Sequence, residues 1–145
     1  MGQNGGMRYL CLIHLDEEKL DALPPAERNA LNAAHLDYNE ALRARGHFVA
    51  AEALDPPRTT SCVRVGNGKT LVTDGPFAET KEIIAGFYVV DAVDMEEAAE
   101  IAAHLPVARI GMGTIEVRPA CQLVVDGREP RWASDPRTAA DATRT

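Results

Sequence analysis

The sequence is poor in cysteine, and it has no long apolar run. Its three cysteines (Cys11, Cys62 and Cys121) lie far apart and form no Cys-x-x-Cys pair, which excludes a disulfide framework. Each lies in a strand-like apolar stretch, so we expect core residues or inert thiols. No run of about eighteen apolar residues occurs, so we expect no membrane-spanning helix and no membrane partner.

The sequence also lacks the short motifs of several common enzyme classes. It contains no Walker-type phosphate loop, no Gly-x-Gly-x-x-Gly fingerprint and no Gly-x-Ser-x-Gly nucleophile elbow. The four histidines show neither an i, i+4 pair nor clustering with cysteine, the spacing typical of zinc sites. We therefore expect neither a metal nor a bound cofactor.

Positive charge is scarce. Lysine and arginine total 15 against 22 acidic residues, which gives a net charge of −7. A field of that sign repels phosphate backbones and anionic lipids, so direct binding to nucleic acid is not expected. The first six residues have no apolar signal core, which favours a cytoplasmic location.

The 145 residues, 46% of them apolar, suit one soluble domain. We predict a flexible leader over residues 1–6, a folded domain over 7–125 and a mobile tail over 126–145. The tail is rich in Arg, Asp, Pro and Thr, and Trp132 is its only large apolar side chain. A role for Trp132 in docking that tail is a minor alternative.

The order of the apolar patterns predicts strand, helix, strand, hairpin, strand, helix and strand. The long helix starts at Pro24-Pro25 and ends at Arg45, and Gly66-Asn67-Gly68 marks the hairpin turn. This order is that of an α+β, ferredoxin-like split βαβ sandwich with an inserted hairpin. Two helices cover only one face of the sheet, so we expect a homodimer packed through the open sheet face.

The segment from Thr73 to Gly86 is the most unusual one. Four ionisable residues lie in it beside an exposed phenylalanine: Asp74, Glu79, Lys81, Glu82 and Phe77. One interpretation is a tight connection, in which Asp74 accepts backbone N–H bonds and Lys81 pairs with a glutamate. The other is a loop that walls a pocket, with Phe77 as apolar surface and Asp74 as a proton acceptor.

His35 is the second candidate, because it shares a helical stripe with Leu31, Tyr38 and Leu42 and points at the sheet. Such a histidine is either a satisfied core residue or a proton shuttle held by a carboxylate, for which Asp74 is the candidate. Arg64 and Arg118 occupy polar strand positions and are either solvated or available to an anionic ligand.

The segment from Asp74 to Glu82, DGPFAETKE, resembles the signature of the YCII-related family in its DGPF-motif branch. The resemblance extends from Met7 to about Pro119 and includes His35 and Gly86-Phe87-Tyr88. It implies a dimeric α+β barrel. It also implies that His35 and Asp74 form a catalytic pair in a cleft.

Relatives in the wider superfamily act on muconolactone-like rings by proton transfer or dehalogenation, and other DGPF domains occur with sigma factors. Three functions remain open. The first is a proton-transfer enzyme on a lactone- or carboxylate-like molecule, with Phe77, Glu79, Lys81, Glu82, Arg64 and Arg118 binding it. The second is a ligand-sensing or regulatory partner-binding module. The third is a structural dimer.

Overall fold

The computed structural model describes residues 6–121 of the chain. The predicted tail with Trp132, and the predicted leader apart from Gly6, lie outside the described residues. A 3₁₀ turn at Pro57–Thr59 precedes the third strand. The elements in chain order are β1 (Met7–Asp16), α1 (Glu17–Asp21), α2 (Pro25–Ala44), β2 (Phe48–Ala53), β3 (Ser61–Gly66), β4 (Lys69–Asp74), β5 (Glu82–Ala92), α3 (Met95–Ala103), α4 (Pro106–Arg109) and β6 (Gly113–Ala120).

Strands β2, β5, β1 and β6 lie side by side in that order and form one sheet. All three neighbouring pairs are antiparallel. A helix follows the first and third strands of this sheet along the chain, which is the arrangement of a split βαβ sandwich. The predicted ferredoxin-like α+β fold is therefore confirmed, whereas the dimeric barrel stays a prediction.

The core lies between this sheet and the helices. Side chains alternate along β1, so that Tyr9, Cys11, Ile13 and Leu15 are buried while the alternate residues Leu10, Leu12 and His14 face the other way. Leu42 of α2 and Leu105, which precedes α4, complete the core and are fully buried. Each such buried apolar side chain stabilises the fold by about 1.5–3 kcal/mol.

Local signals place the ends of the helices close to their predicted positions. Proline at the first position begins α2, and Gly46, with φ +80°, takes the left-handed conformation just after it ends. The Asp94 carboxylate accepts the Glu97 N–H at 2.9 Å and caps α3. Pro106, which the sequence predicted only as a stop, also begins the short helix α4.

The opposite face of the sheet carries no helix. Its central side chains, Leu10, Leu12, Phe87 and Val89, are half-buried. A salt bridge and a hydrogen bond border them: Arg8 Nε lies 3.0 Å from Asp91 Oδ1, and His14 Nε2 lies 2.8 Å from Glu116 Oε1. We call this surface the open face.

Strands β3 and β4 form a separate two-stranded sheet. Its turn has positive φ at Asn67 and Gly68, the type I′ geometry that suits a tight hairpin. All six residues of β4 are exposed. We call residues 57–77, which include this hairpin, the arm.

None of the helices within residues 6–121 combines the length and the apolar character that crossing a membrane requires.

Candidate functional site

A cavity of about 430 Å³ lies between α2 and the helix-facing side of the sheet. Its volume is in the range of about 300–1,000 Å³ that small-molecule sites have. The lining is mostly apolar. Leucines and isoleucines of β1, α2 and β5 are among the lining residues: Ile13, Leu15, Leu31, Leu36 and Ile83.

Three polar side chains form a hydrogen-bonded chain in this cavity. His35 Nδ1 lies 3.0 Å from the hydroxyl oxygen of Tyr88. The Tyr88 hydroxyl in turn donates to Asn39 Oδ1. His35 and Asn39 are four residues apart on α2, so they lie one turn apart on the same face, and Tyr88 reaches them from β5. The chain therefore ties the helix to the sheet.

The Tyr88 hydroxyl has a single proton, and it donates that proton to Asn39. Its oxygen can then only accept from His35, so Nδ1 carries the imidazole proton and Nε2 carries the lone pair. Within residues 6–121, Nε2 of His35 has no hydrogen-bond partner. The arrangement presents a proton acceptor to a molecule in the cavity.

Burial affects both titratable groups of this chain. It lowers the pKa of His35 below the usual value of 6.5, which favours the neutral imidazole. It raises the pKa of Tyr88 to about 12, with a smaller contribution from the nearby Tyr38. At neutral pH, Tyr88 therefore stays a protonated donor and His35 stays a neutral base.

The charged residues of the cavity are mainly acidic. Glu17, Asp21 and Glu52 line it together with a single arginine, Arg28. Arg28 Nη1 lies 3.7 Å from Asp21 Oδ1, so its charge is already partly balanced. Among residues 6–121, no group of three histidine, cysteine or acidic residues could hold a metal ion.

The signature residues lie away from this cavity. Asp74 ends β4 and is exposed, and Phe77 is 95% exposed. Neither lines the cavity, and within the chain His35 bonds to Tyr88 where the sequence suggested Asp74. The structure thus brings His35 to a pocket, and it does not bring Asp74 to His35 in the same chain.

The remaining charged residues of the signature are also exposed. Glu79 lies between β4 and β5, and Glu82 begins β5, where it pairs with Asp16. Lys81 Nζ lies 4.0 Å from Asp16 Oδ2. Asp16 is 9% exposed, and its carboxylate accepts the Glu18 N–H at 3.0 Å. Lys81 therefore pairs with an aspartate, although the tight-connection interpretation gave it a glutamate.

Neither arginine that the sequence suggested for anion binding lines the cavity. Arg64 lies on the arm opposite Leu71, and Arg118 lies on the open face, where it donates to Glu116 Oε2 at 3.4 Å. The arginine that does line the cavity, Arg28, was missed.

Sequence reasoning missed Tyr88, Asn39 and Arg28 for two different reasons. Arg28 lies seven residues before His35, and Asn39 lies four residues after it. Both spacings place a residue on the same face of a helix as His35, so the helical period could have identified them. Tyr88 could not be identified that way. Its place opposite Ala51 depends on the register between β2 and β5, in which a slip of one residue would turn it to the other face.

Comparisons with known proteins identify the family of this chain. A curated relative, an uncharacterised protein of Rhizobium meliloti (strain 1021), is 36% identical over 117 residues, which cover 78% of this chain and 91% of the relative. Among solved structures, a 5-chloro-2-hydroxyhydroquinone dehydrochlorinase from Burkholderia phenoliruptrix AC1100, in complex with 2,5-dihydroxybenzoquinone, is similar. Its TM-score is 0.49 at 18% identity, and the match covers 80% of this chain and 95% of the other. The family model of the YCII-related domain matches residues 7–123, and the chain therefore belongs to the YCII-related domain family.

Proposed function

We propose that the cavity beside α2 binds a small, neutral organic molecule and that His35 removes a proton from it. The observation that carries this proposal is the hydrogen-bonded chain from Asn39 through Tyr88 to His35, which holds the proton on Nδ1 and leaves Nε2 to the cavity. A neutral imidazole in a largely apolar pocket has the properties of a general base.

The charges around the cavity favour a neutral ligand over a carboxylate. Three carboxylates and one guanidinium line it, and that guanidinium already faces Asp21. A carboxylate ligand would be repelled by this net negative charge and would lose its hydration on entry. Of the two ligand classes that the sequence suggested, the lactone-like one fits better.

The proposed step moves one proton. The ligand's O–H or activated C–H bond breaks, its proton goes to Nε2, and the electron pair stays on the ligand as a phenolate- or enolate-like anion. His35 becomes an imidazolium while its Nδ1–H still donates to Tyr88. Return of the proton to another atom completes an isomerisation. General base catalysis of this kind contributes about 10²–10⁴-fold to a rate.

We also propose that two copies of the chain pack through their open faces. The apolar side chains Leu10, Leu12, Phe87 and Val89 support this, because no helix covers them. The polar contacts that border them, Arg8–Asp91 and His14–Glu116, would lie at the rim of such an interface.

The probe for the pocket is 4-nitrophenol, a neutral ring with one acidic proton whose phenolate is yellow. Equilibrium dialysis measures its binding. We expect saturable binding to the wild-type chain. We expect at least about a tenfold loss of affinity in His35→Gln, which removes the hydrogen-bond acceptor of the cavity.

The matched control is His47→Gln. His47 Nδ1 contacts the Asp91 carbonyl oxygen at 2.8 Å, and His47 does not line the cavity. Its variant should bind the probe as the wild type does. A His35→Gln chain that binds 4-nitrophenol with unchanged affinity would refute the proposed base. In ¹⁵N spectra of the imidazoles, a proton on Nε2 of His35 would refute the assigned tautomer.

A further inference from the structure

The arm exposes several large apolar side chains to solvent. Five of its side chains are exposed and large: Val63, Val65, Leu71, Val72 and Phe77, at 64, 68, 53, 62 and 95% exposure. A two-stranded hairpin with no packed face is marginally stable by itself. An exposed patch of this kind indicates an interaction surface.

The charge of the arm differs from that of the chain as a whole. The arm carries Arg58, Arg64 and Lys69 against one acidic residue, Asp74, so it has a net charge of +2, although the chain has a net charge of −7. In the register of the hairpin, Arg64 and Lys69 share a face with Leu71, and the exposed valines lie on the other face. An arm with a net positive charge and exposed apolar side chains on both faces fits a partner surface that is both apolar and acidic.

The mouth of the cavity is such a surface. Leu36 and Leu54 line the cavity while remaining 65% and 48% exposed. Three carboxylates line the same cavity, those of Glu17, Asp21 and Glu52. The arm of the same chain does not close it, since no residue between 57 and 77 is among the lining residues.

We propose that the arm packs on the cavity mouth of a second copy of this chain, so that each copy covers the pocket of the other. One chain carries both complementary surfaces, and a two-fold axis satisfies both contacts at once. The inference rests on the proposed function of the pocket and identifies the partner that completes it.

This exchange gives Phe77 of the signature a place at the site. Phe77, which ends the arm, would add apolar surface over the molecule bound in the partner copy's pocket. Covering the mouth also excludes water, which strengthens the contacts of a base with its ligand.

The first experiment measures mass in solution by sedimentation equilibrium. The double variant Val63→Thr/Val72→Thr changes two side chains that face each other across the hairpin and keeps their β-branched shape. Its control, Val93→Thr/Ile110→Thr, removes apolar surface of similar exposure (62% and 58%) away from the arm. We expect the dimer dissociation constant to rise at least about tenfold in the arm variant, from lost apolar burial, and less than about twofold in the control. An equal effect of both pairs, or a wild-type chain that is monomeric at all concentrations, would overturn the proposal.

The second experiment asks whether the arm acts on the other copy. His35→Gln keeps its arm and loses its base, whereas Arg64→Glu/Phe77→Ser keeps its base and loses its arm contact. Each variant alone should bind 4-nitrophenol at least about tenfold more weakly than the wild type. After mixing and subunit exchange, about a quarter of the wild-type sites should return, because half of the dimers then contain one complete site.

The outcomes separate this inference from the proposed function. If the His35→Gln chain alone binds the probe normally, the proposed base fails while the sedimentation result still tests the arm. If the arm variant alone binds the probe normally, or if mixing restores no sites, the exchange of arms is wrong. An arm that docks on an unrelated acidic protein would leave the mass of wild type and arm variant the same, which also overturns the proposal.

Discussion

The pocket side of the sheet and the arm use their side chains in opposite ways. Around the pocket, polar groups satisfy one another in a partly buried chain, and Tyr88 is only 4% exposed. On the arm, Val63 and Val72 face each other across the hairpin while most of each remains in water. The polar groups of the pocket therefore find partners within one chain, whereas the apolar side chains of the arm find none there and are proposed to meet a second copy.

The largest expected effect tests how tightly the pocket side is packed. A Cβ at Gly86 would lie 2.7 Å from the backbone oxygen of Glu52, so Gly86→Ala forces the edge strand to shift. We expect a loss of about 1–3 kcal/mol of unfolding free energy, measured by urea denaturation. Gly66 on the arm has no atom within 4 Å of such a Cβ and no positive φ. Gly66→Ala should be nearly neutral, and an equal loss at both sites would contradict the contrast.

The next effect concerns the hydrogen-bonded chain. Tyr88→Phe removes both of its bonds, so we expect about 1–3 kcal/mol less stability and about tenfold weaker binding of 4-nitrophenol. The control is Tyr38→Phe, which loses a bond to the Ile101 carbonyl oxygen at 2.7 Å and does not touch the cavity. It should lose stability and keep affinity. Equal affinities of the two variants in dialysis would show that the chain does not orient His35.

A smaller effect appears in the pH dependence of stability. Burial lowers the folded pKa of His35, so the unfolded chain binds this proton more tightly. Above about pH 6.5, His35 is neutral in both states and its contribution to stability is complete. As the pH falls from there toward the folded pKa, the unfolded chain takes up the proton first. The free energy of unfolding then falls by at most about 1.4 kcal/mol per pH unit. The fall in Tm between about pH 7 and 5 should therefore be smaller in His35→Gln than in the wild type. A parallel fall in the wild type and in His35→Gln would contradict the burial of His35.

The smallest change in unfolding free energy is expected for a substitution on the arm, measured in a dilute solution in which the chain is monomeric. Val63 is 64% exposed, so Val63→Thr should change the unfolding free energy by less than about 0.5 kcal/mol. The same variant should weaken dimerisation, since the arm matters only when a second copy covers it. A large loss of stability in the dilute chain, measured by urea denaturation, would mean that the arm already packs within one copy.

Most of the fold could be predicted from local patterns in the sequence. Proline at the start of α2, the Asp94 cap of α3 and the Asn67-Gly68 turn are each determined by a few neighbouring residues. The order in which strand-like and helix-like patterns follow one another along the chain then predicts the order of elements and the α+β class. Where prediction failed, as at Pro106, one residue has two roles: it ends one helix and begins the next.

The site was predictable only in part. His35 could be identified because its place on the helical stripe turns it toward the sheet. Its partner could not, since Tyr88 lies fifty-three residues away and meets it only through strand register. The sequence suggested that His35 pairs with Asp74. Asp74 lies at the end of the exposed strand β4 and does not line the cavity that His35 lines.

By itself, the sequence determined the family, the elements and the histidine, because these depend on short-range chemistry and on a nine-residue signature. Only the tertiary structure decided which nitrogen of His35 is free, that the cavity is lined by Arg28 and acidic residues, and that Asp74 lies on an exposed arm. The physical reason is that hydrogen-bond partners and charge surroundings are set by residues distant along the chain. Their positions follow from sheet register and packing, which no local pattern specifies.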